Sequence, residues 1–376
     1  MNKKNLSIIM SLILILSLVG CNQSENGANS AKTEEPKAAE ATTAQVTTVT
    51  EPPAATEAPT VTTAPDPDAA SVTAFGKRVD RVTFPSKLLS QAIDGSSREK
   101  QLMIYLPKSY ETGDKRYPVV YYFHGFGEST MYVFSSSGNL DNFMPSDQEF
   151  IVVGVDCNTM GGSGSFFANS EVIGNWDDFM IKEIIPYIDE NYRSIAEANS
   201  RACMGFSMGG YIAINMALIH PEIFSSTLAL APGLLRDDQF DVAMKSWQGD
   251  RTFLQAYGRA FAPNTEKEDL CDIPALDGSD EDKVICDKWL SGYGHLEDKV
   301  DNYLALNQTL KKIQIVYGKG DSYHWIPEGC KYLSELMTEK GIDHTLTELT
   351  GGHRIPNDFI ESYVIPFFSE ALSFTE

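Results

Sequence analysis

The sequence predicts an α/β fold in which a mostly parallel central sheet is flanked by helices and carries a helical cap insertion. Three observations predict it. From Val79 onward, short apolar runs alternate with stretches of helical periodicity. Several of those runs, such as Val119–Phe123 and Phe150–Val155, are almost continuously apolar, as strands buried on both faces must be. One interval, Leu234–Lys312, breaks the alternation, because roughly 80 residues separate two consecutive strands where a crossover needs a few loop residues and one helix.

The elements follow in chain order. Residues 1–20 have a short cationic start (Lys3, Lys4), an apolar stretch from Leu6 to Val19, and small residues before Cys21. The apolar stretch falls short of the roughly 20 residues that a membrane-spanning helix needs. It reads as a secretion signal whose end resembles a bacterial lipoprotein processing site, with Cys21 as the lipidated first residue of the mature chain; an ordinary cleaved signal is the alternative. Residues 21–71 are rich in Ala, Thr, Pro, Glu and Ser and hold no aromatic residue, so they bury too little apolar surface to offset ordering entropy. That stretch is expected to be a disordered tether spanning roughly 40 Å. Residues 72–376 are then the folded domain, with the cap near 234–312.

Within that domain the expected strands are Arg81–Phe84, Gln101–Leu106, Val119–Phe123, Phe150–Val155, Arg201–Phe206, Ser226–Ala231, Ile313–Tyr317 and His344–Leu349. Expected helices lie near Trp176–Tyr192, Gly209–Ile219, Pro327–Lys340 and Asp358–Leu372. The long interval is rich in acids and carries Trp247, Tyr257, Trp289 and Tyr293; a cap over one sheet end is expected, with a peripheral insertion as the alternative.

A formal net charge of −22 argues against nucleic acid or an anionic membrane surface as a partner, since both would repel the chain. Beyond Cys21, five cysteines remain and none has the close pair spacing of a zinc site. Cys157 and Cys203 read as buried small hydrophobes, and Cys271 with Cys286 is a candidate disulfide. The oligomeric state stays open.

The chemistry centres on Gly205-Phe206-Ser207-Met208-Gly209, a G-x-S-x-G nucleophile elbow, in which a sharp strand-to-helix turn lifts a serine hydroxyl above the sheet edge. A serine hydroxyl needs a base to take its proton. Of six histidines, His353 in Gly351-Gly352-His353 fits best, because it follows the last strand and precedes the last helix. His220, before Pro221, reads as structural, and His344 lies within a strand. Asp321, after the strand Ile313–Tyr317, is the candidate that orients the imidazole, with Glu328 in reserve. The developing oxyanion needs backbone donors, for which Met208 and Phe126, the latter in the loop His124-Gly125-Phe126-Gly127, are the candidates. Candidate substrate contacts are Gly125 in that loop, Phe166 in the glycine-rich segment Gly161–Ser170, Trp289 in the cap, and Asp156, a strand-end carboxylate that binds substrate or caps a loop.

With these residues in place the chain resembles the "Putative esterase" group of α/β hydrolases, which includes esterase D and the feruloyl, acetyl-xylan and enterochelin esterases. The matching phrases are IYLPKSYETGDKRYPVVYYFHGFGES, NWDDFMIKEIIPYIDENYR, GFSMGGYIAINMALIHPEIFS and GGHRIPNDF. The resemblance implies the α/β-hydrolase fold, Ser207, Asp321 and His353 as a catalytic triad, Phe126 and Met208 as oxyanion donors, and no metal or organic cofactor. After the histidine the sequence departs from many relatives, with Arg354-Ile355-Pro356-Asn357 in place of an aromatic pair. Together with export, the resemblance implies a surface-tethered serine esterase acting on acetyl or hydroxycinnamoyl esters of plant polysaccharide. Its rivals are a siderophore or other small-ester esterase, an acyltransferase, and a non-catalytic binding protein on the same scaffold.

Overall fold

The computed structural model describes residues 68–135 and 137–375; the expected leader, Cys21 and residues 22–67 of the tether lie outside the described residues. Among the described residues eleven strands occur in order: β1 (Ser71–Ala74), β2 (Val79–Pro85), β3 (Glu99–Tyr105), β4 (Val119–Phe123), β5 (Ile151–Val155), β6 (Asn169–Ser170), β7 (Gly174–Asn175), β8 (Arg201–Phe206), β9 (Ser226–Leu230), β10 (Lys312–Gly318) and β11 (Thr345–Leu349). Nine of them form one sheet in the order β1-β2-β3-β5-β4-β8-β9-β10-β11. The first three pairings are antiparallel and the other five parallel, so the expected mostly parallel sheet is present. Every residue of β4, β5, β8 and β9 is buried, which is why these strands read as apolar runs. The edge strand β1 is exposed along its length, and its residues begin inside the interval expected to be tether. Asp68, also in that interval, accepts a hydrogen bond from Arg98 at 2.9 Å, which draws the chain onto the fold a few residues early.

Helices cover the sheet. Before β5 lie α1 (Met131–Ser135) and α2 (Ser137–Phe143), which the periodicity did not predict. The expected helix from Trp176 comprises α3 (Trp176–Phe179), one π-helical turn over Met180–Ile184, and α4 (Ile185–Asn191). Pro186 explains the interruption: it lacks an N–H and its ring crowds the preceding turn, which a wider turn relieves. After the elbow comes α5 (Met208–Ile219), almost wholly buried.

The long interval folds into α6 (Phe240–Trp247), α7 (Arg251–Phe261), α8 (Asp280–Tyr293) and α9 (Leu296–Ala305). Its acids have local work. Asp250 caps α7 by accepting from Phe253 N–H at 2.9 Å, and Asp280, Glu281 and Asp282 occupy the first turn of α8, where the helix dipole favours negative charge. Two more helices close the domain, α10 (Trp325–Glu339) and α11 (Ile365–Ala371); the latter repeats the pattern of a π turn, Ile360–Val364, before a proline. The five described cysteines beyond Cys21 are all free thiols, so Cys271 and Cys286 do not form the candidate disulfide. Cys271 instead packs beneath Gly258 in the cap, while the Cys286 thiol lies 3.9 Å from the Asp282 carboxylate.

Candidate active site

Ser207, Asp321 and His353 follow the carboxyl ends of β8, β10 and β11, three parallel strands that end at one rim of the sheet. Ser207 has φ 56° and ψ −117°, a conformation that costs a residue with a Cβ on the order of 1–3 kcal/mol. The surroundings enforce it. Ser207 N–H donates to Leu230 O at 2.9 Å, and Ser207 O accepts from Tyr211 and Gly233 N–H at 3.0 and 3.2 Å. Glycine is required on both sides of the turn: a Cβ on Gly205 would stand 2.1 Å from Gly209 O, and one on Gly209 2.0 Å from Phe123 O.

The elbow aims Ser207 Oγ at His353 Nε2, 2.9 Å away, and His353 Nδ1 stands 2.7 Å from Asp321 Oδ2. Asp321 is fully buried, and its other carboxylate oxygen accepts from Tyr323 N–H at 2.8 Å. The histidine loop is stitched to the acid loop by Lys319 N–H to Leu349 O at 2.7 Å and Gly320 N–H to Gly351 O at 2.9 Å. The imidazole also lies between the rings of Phe206 and Tyr323, with centroids 5.0 and 5.1 Å away. Glu328, the reserve acid, is half exposed on α10 and pairs with Lys331 at 3.3 Å.

Opposite the histidine is the loop after β4. His124, fully buried, donates from Nδ1 to Gly125 O at 2.8 Å and accepts at Nε2 from Cys157 N–H at 2.9 Å, which ties the loop to the end of β5. Glu128 folds back to accept from Gly125 N–H at 3.1 Å. The Phe126 and Met208 side chains both close on Gly164, where a Cβ would meet Met208 Sδ at 2.1 Å and Phe126 Cδ2 at 3.0 Å, so the two residues flank one point beside the elbow.

Ser207 and His353 open into a cavity of about 330 Å³. Its walls include Gly125, Phe126 and Phe206 from the sheet edge, Trp247 and Phe253 from the cap, and Tyr323 and Trp325 from the acid loop and α10. The cap therefore covers the serine and is not peripheral. Trp247 stands edge-on to Trp325 at 5.4 Å, and Tyr293 stacks on Trp325 at 5.8 Å. Such a chamber suits a flat apolar group, while the polar chain Ser207–His353–Asp321 is positioned for nucleophilic chemistry.

Residues 93–357 match the protein family described as "Putative esterase". The chain belongs to that family. Esterase Rv1288 of Mycobacterium tuberculosis is 35% identical over 141 residues, covering 36% of this chain and 30% of that protein. An endo-1,4-beta-xylanase/feruloyl esterase of Xylanibacter ruminicola is 31% identical over 158 residues, covering 39% of this chain and 20% of that one. The aligned stretch thus spans under a third of the length of either curated relative. Among solved structures, an S-formylglutathione hydrolase from Agrobacterium tumefaciens superposes with a TM-score of 0.51 at 19% identity, covering 81% of this chain and 99% of that one. A ferulic acid esterase from Anaeromyces mucronatus, in complex with ferulic acid, superposes at 0.50 with 18% identity over 80% and 90% of the two chains. The fold is the α/β-hydrolase fold.

Of the expected substrate contacts, only Gly125 lines the cavity. Asp156 takes the other of its two expected roles: Oδ1 accepts from Asn158 N–H at 3.0 Å and lies 3.6 Å from His124 Nε2, which makes it a loop cap behind the loop after β4. Phe166 is buried behind the cavity wall, packed on Phe126, Phe253 and Tyr257, and its segment is ordered by Ser165 N–H to Cys157 O at 2.9 Å. Trp289 is fully buried within the cap, its Nε1 donating to Asp272 O at 2.8 Å. Large aromatic rings bury most area inside a packed layer, and these two went there rather than to the surface of the cleft. The residues that do line it, Phe253, Tyr323 and Trp325, were signalled only by aromatic enrichment in the cap and directly after Asp321.

Proposed function

We propose that this protein is a serine esterase, exported and lipid-anchored through Cys21 to the outer face of a bacterial cell membrane, that hydrolyses hydroxycinnamoyl or acetyl esters of plant polysaccharide. The observation that carries the serine mechanism is the Ser207–His353–Asp321 chain, with links of 2.9 and 2.7 Å. As Ser207 Oγ bonds to the ester carbonyl carbon, its proton passes to His353 Nε2, and Asp321 stabilises the imidazolium. Phe126 and Met208 N–H hold the oxyanion. His353 then returns the proton to the departing alkoxide as the C–O bond breaks, and water repeats the sequence on the acyl-serine.

The cavity favours the hydroxycinnamoyl member of the pair. An acetyl group would leave most of its 330 Å³ unfilled, whereas a feruloyl ring can lie among Trp247, Phe253 and Trp325. The feruloyl esterase named among the relatives and the ferulic acid held by one superposed structure agree with that choice. The leader before Cys21 supports export and anchoring.

A fluorophosphonate probe should label the wild type and not Ser207→Ala; an unlabelled wild type rejects the serine mechanism. Methyl ferulate, acetyl-xylan and a siderophore trilactone separate the substrates, and turnover of the trilactone alone rejects the polysaccharide reading. Incorporation of an alkynyl fatty acid that disappears in Cys21→Ala tests the anchor.

A further inference from the structure

We infer that Glu128 is a positioning residue for the ester chemistry: it clamps both backbone groups of Gly125 and so fixes the direction in which Phe126 N–H points. The inference rests on the serine mechanism proposed above, in which Phe126 N–H is one donor to the oxyanion. The clamp consists of two bonds between the same two residues. Glu128 N–H donates to Gly125 O at 3.1 Å, which closes the turn Gly125–Glu128, and Glu128 Oε2 accepts from Gly125 N–H at 3.1 Å. Gly127, third in that turn, has φ 70°, the left-handed value that a type II turn requires there. Gly125 O also accepts from His124 Nδ1 at 2.8 Å, and His124 is fully buried with its Nε2 tied to Cys157 N–H. The Gly125 carbonyl is therefore turned toward the interior. In a trans peptide the C=O and N–H point opposite ways, so Phe126 N–H is turned away from the interior, toward the cavity that Gly125, Phe126 and Ser207 line together. Among the described residues no protein acceptor takes that N–H, as a donor reserved for substrate requires.

The carboxylate matters because the residue it holds is a glycine. A Cβ on Gly125 would stand 2.9 Å from Glu128 Oε2 and 3.3 Å from Phe206 Cδ1, so no side chain can stiffen the backbone at this point. Gly125 is buried, and without Glu128 its N–H has lost its acceptor, a cost that favours rotation toward another one. Any rotation about Gly125 swings the following peptide and takes Phe126 N–H off its line. Glu128 itself has a fixed base: its carbonyl accepts from Asn158 Nδ2 at 3.0 Å, and Asn158 N–H is in turn held by Asp156 at 3.0 Å. The role asks for an acceptor oxygen at the right reach and not for a proton transfer or a charge.

The test compares three substitutions at this position, read by hydrolysis of 4-nitrophenyl acetate and by the rate of labelling with a fluorophosphonate, which needs no knowledge of the natural ester. Glu128→Ala should lower kcat by roughly 10–100-fold with KM within about twofold, because the oxyanion contact forms in the transition state and not in the ground state. The labelling rate should fall by a similar factor. Glu128→Gln keeps an oxygen at the same reach and should return both rates to within about threefold of the wild type, whereas Glu128→Asp keeps the charge, falls one methylene short and should resemble Glu128→Ala. Wild-type kcat and labelling rate in Glu128→Ala overturn the inference. So does the reverse order, an active Glu128→Asp and an impaired Glu128→Gln, since charge and not position would then be what matters. Thermal unfolding checks that each variant folds; if Glu128→Ala does not, the Gln and Asp pair decides alone. An unlabelled wild type removes the serine mechanism itself, whereas a labelled wild type with an indifferent Glu128→Ala removes only the positioning role.

Discussion

Replacing Asp321 by asparagine should lower kcat/KM by roughly 10⁴-fold, about 5.4 kcal/mol of transition-state stabilisation, while leaving the fold intact. The magnitude follows from the two partners of the side chain. One carboxylate oxygen accepts from Tyr323 N–H at 2.8 Å and the other faces His353 Nδ1 at 2.7 Å. An asparagine here must keep its oxygen toward Tyr323 N–H, since the opposite flip sets two donors against each other in a fully buried site. Its NH₂ then points at Nδ1, which must accept, so the proton moves to Nε2. In that tautomer the nitrogen facing Ser207 Oγ carries a hydrogen and cannot act as base. The assay is steady-state hydrolysis of methyl ferulate or 4-nitrophenyl acetate, with thermal unfolding as the control for folding. Glu328→Gln, altering an exposed partner of Lys331, should stay within about twofold of the wild type. A loss of less than tenfold in Asp321→Asn would refute the tautomer argument.

Two further outcomes follow from the packing. Gly209→Ala places a Cβ 2.0 Å from Phe123 O and 2.7 Å from His124 O, both backbone atoms at the start of the loop after β4. It should lower Tm by about 3–10 °C and cut kcat together, and a variant normal in both would show that the elbow tolerates a side chain there. Burial alone would raise the Asp141 carboxyl, but hydrogen bonds from Arg78 and Tyr105 outweigh it and hold the group below its ordinary value. A carboxyl depressed in the folded state contributes stability above its unfolded pKa, about 3.9, and loses it as pH falls through the folded value. The Tm gap between wild type and Asp141→Asn should therefore be full at neutral pH and close as the solution is acidified below that range; differential scanning calorimetry across pH would expose a constant gap as a contradiction.

Much of the sheet was legible because its central strands are buried on both faces, and continuous apolar runs such as Val119–Phe123 leave little else to be. The edge strand Ser71–Ala74 was not, since all four residues face solvent and no burial pattern marks them. The short helices after the loop that follows β4 and the π turns before Pro186 and Pro366 also escaped, as each depends on local crowding and not on periodicity. Within the site, the serine, acid and histidine that meet in one chain carried recognisable local contexts. Phe166, Trp289 and Asp156 did not sort themselves, because an aromatic ring or a strand-end carboxylate has the same sequence signature whether it packs, caps or contacts substrate.

By itself the sequence determined which groups are available and in what chain order: an elbow serine, then an acid after one strand, then a histidine after the next. Tertiary structure decided their meeting. Ser207 and His353 are 146 residues apart and Asp321 and His353 are 32 apart, yet the links are 2.9 and 2.7 Å. Parallel strands bring every carboxyl end to one rim at a spacing of about 4.8 Å per strand, so loops distant in the chain share a few ångströms of space. Only the same three-dimensional packing could decide that the cap turns Trp247 and Phe253 toward the serine while it buries Trp289 within itself.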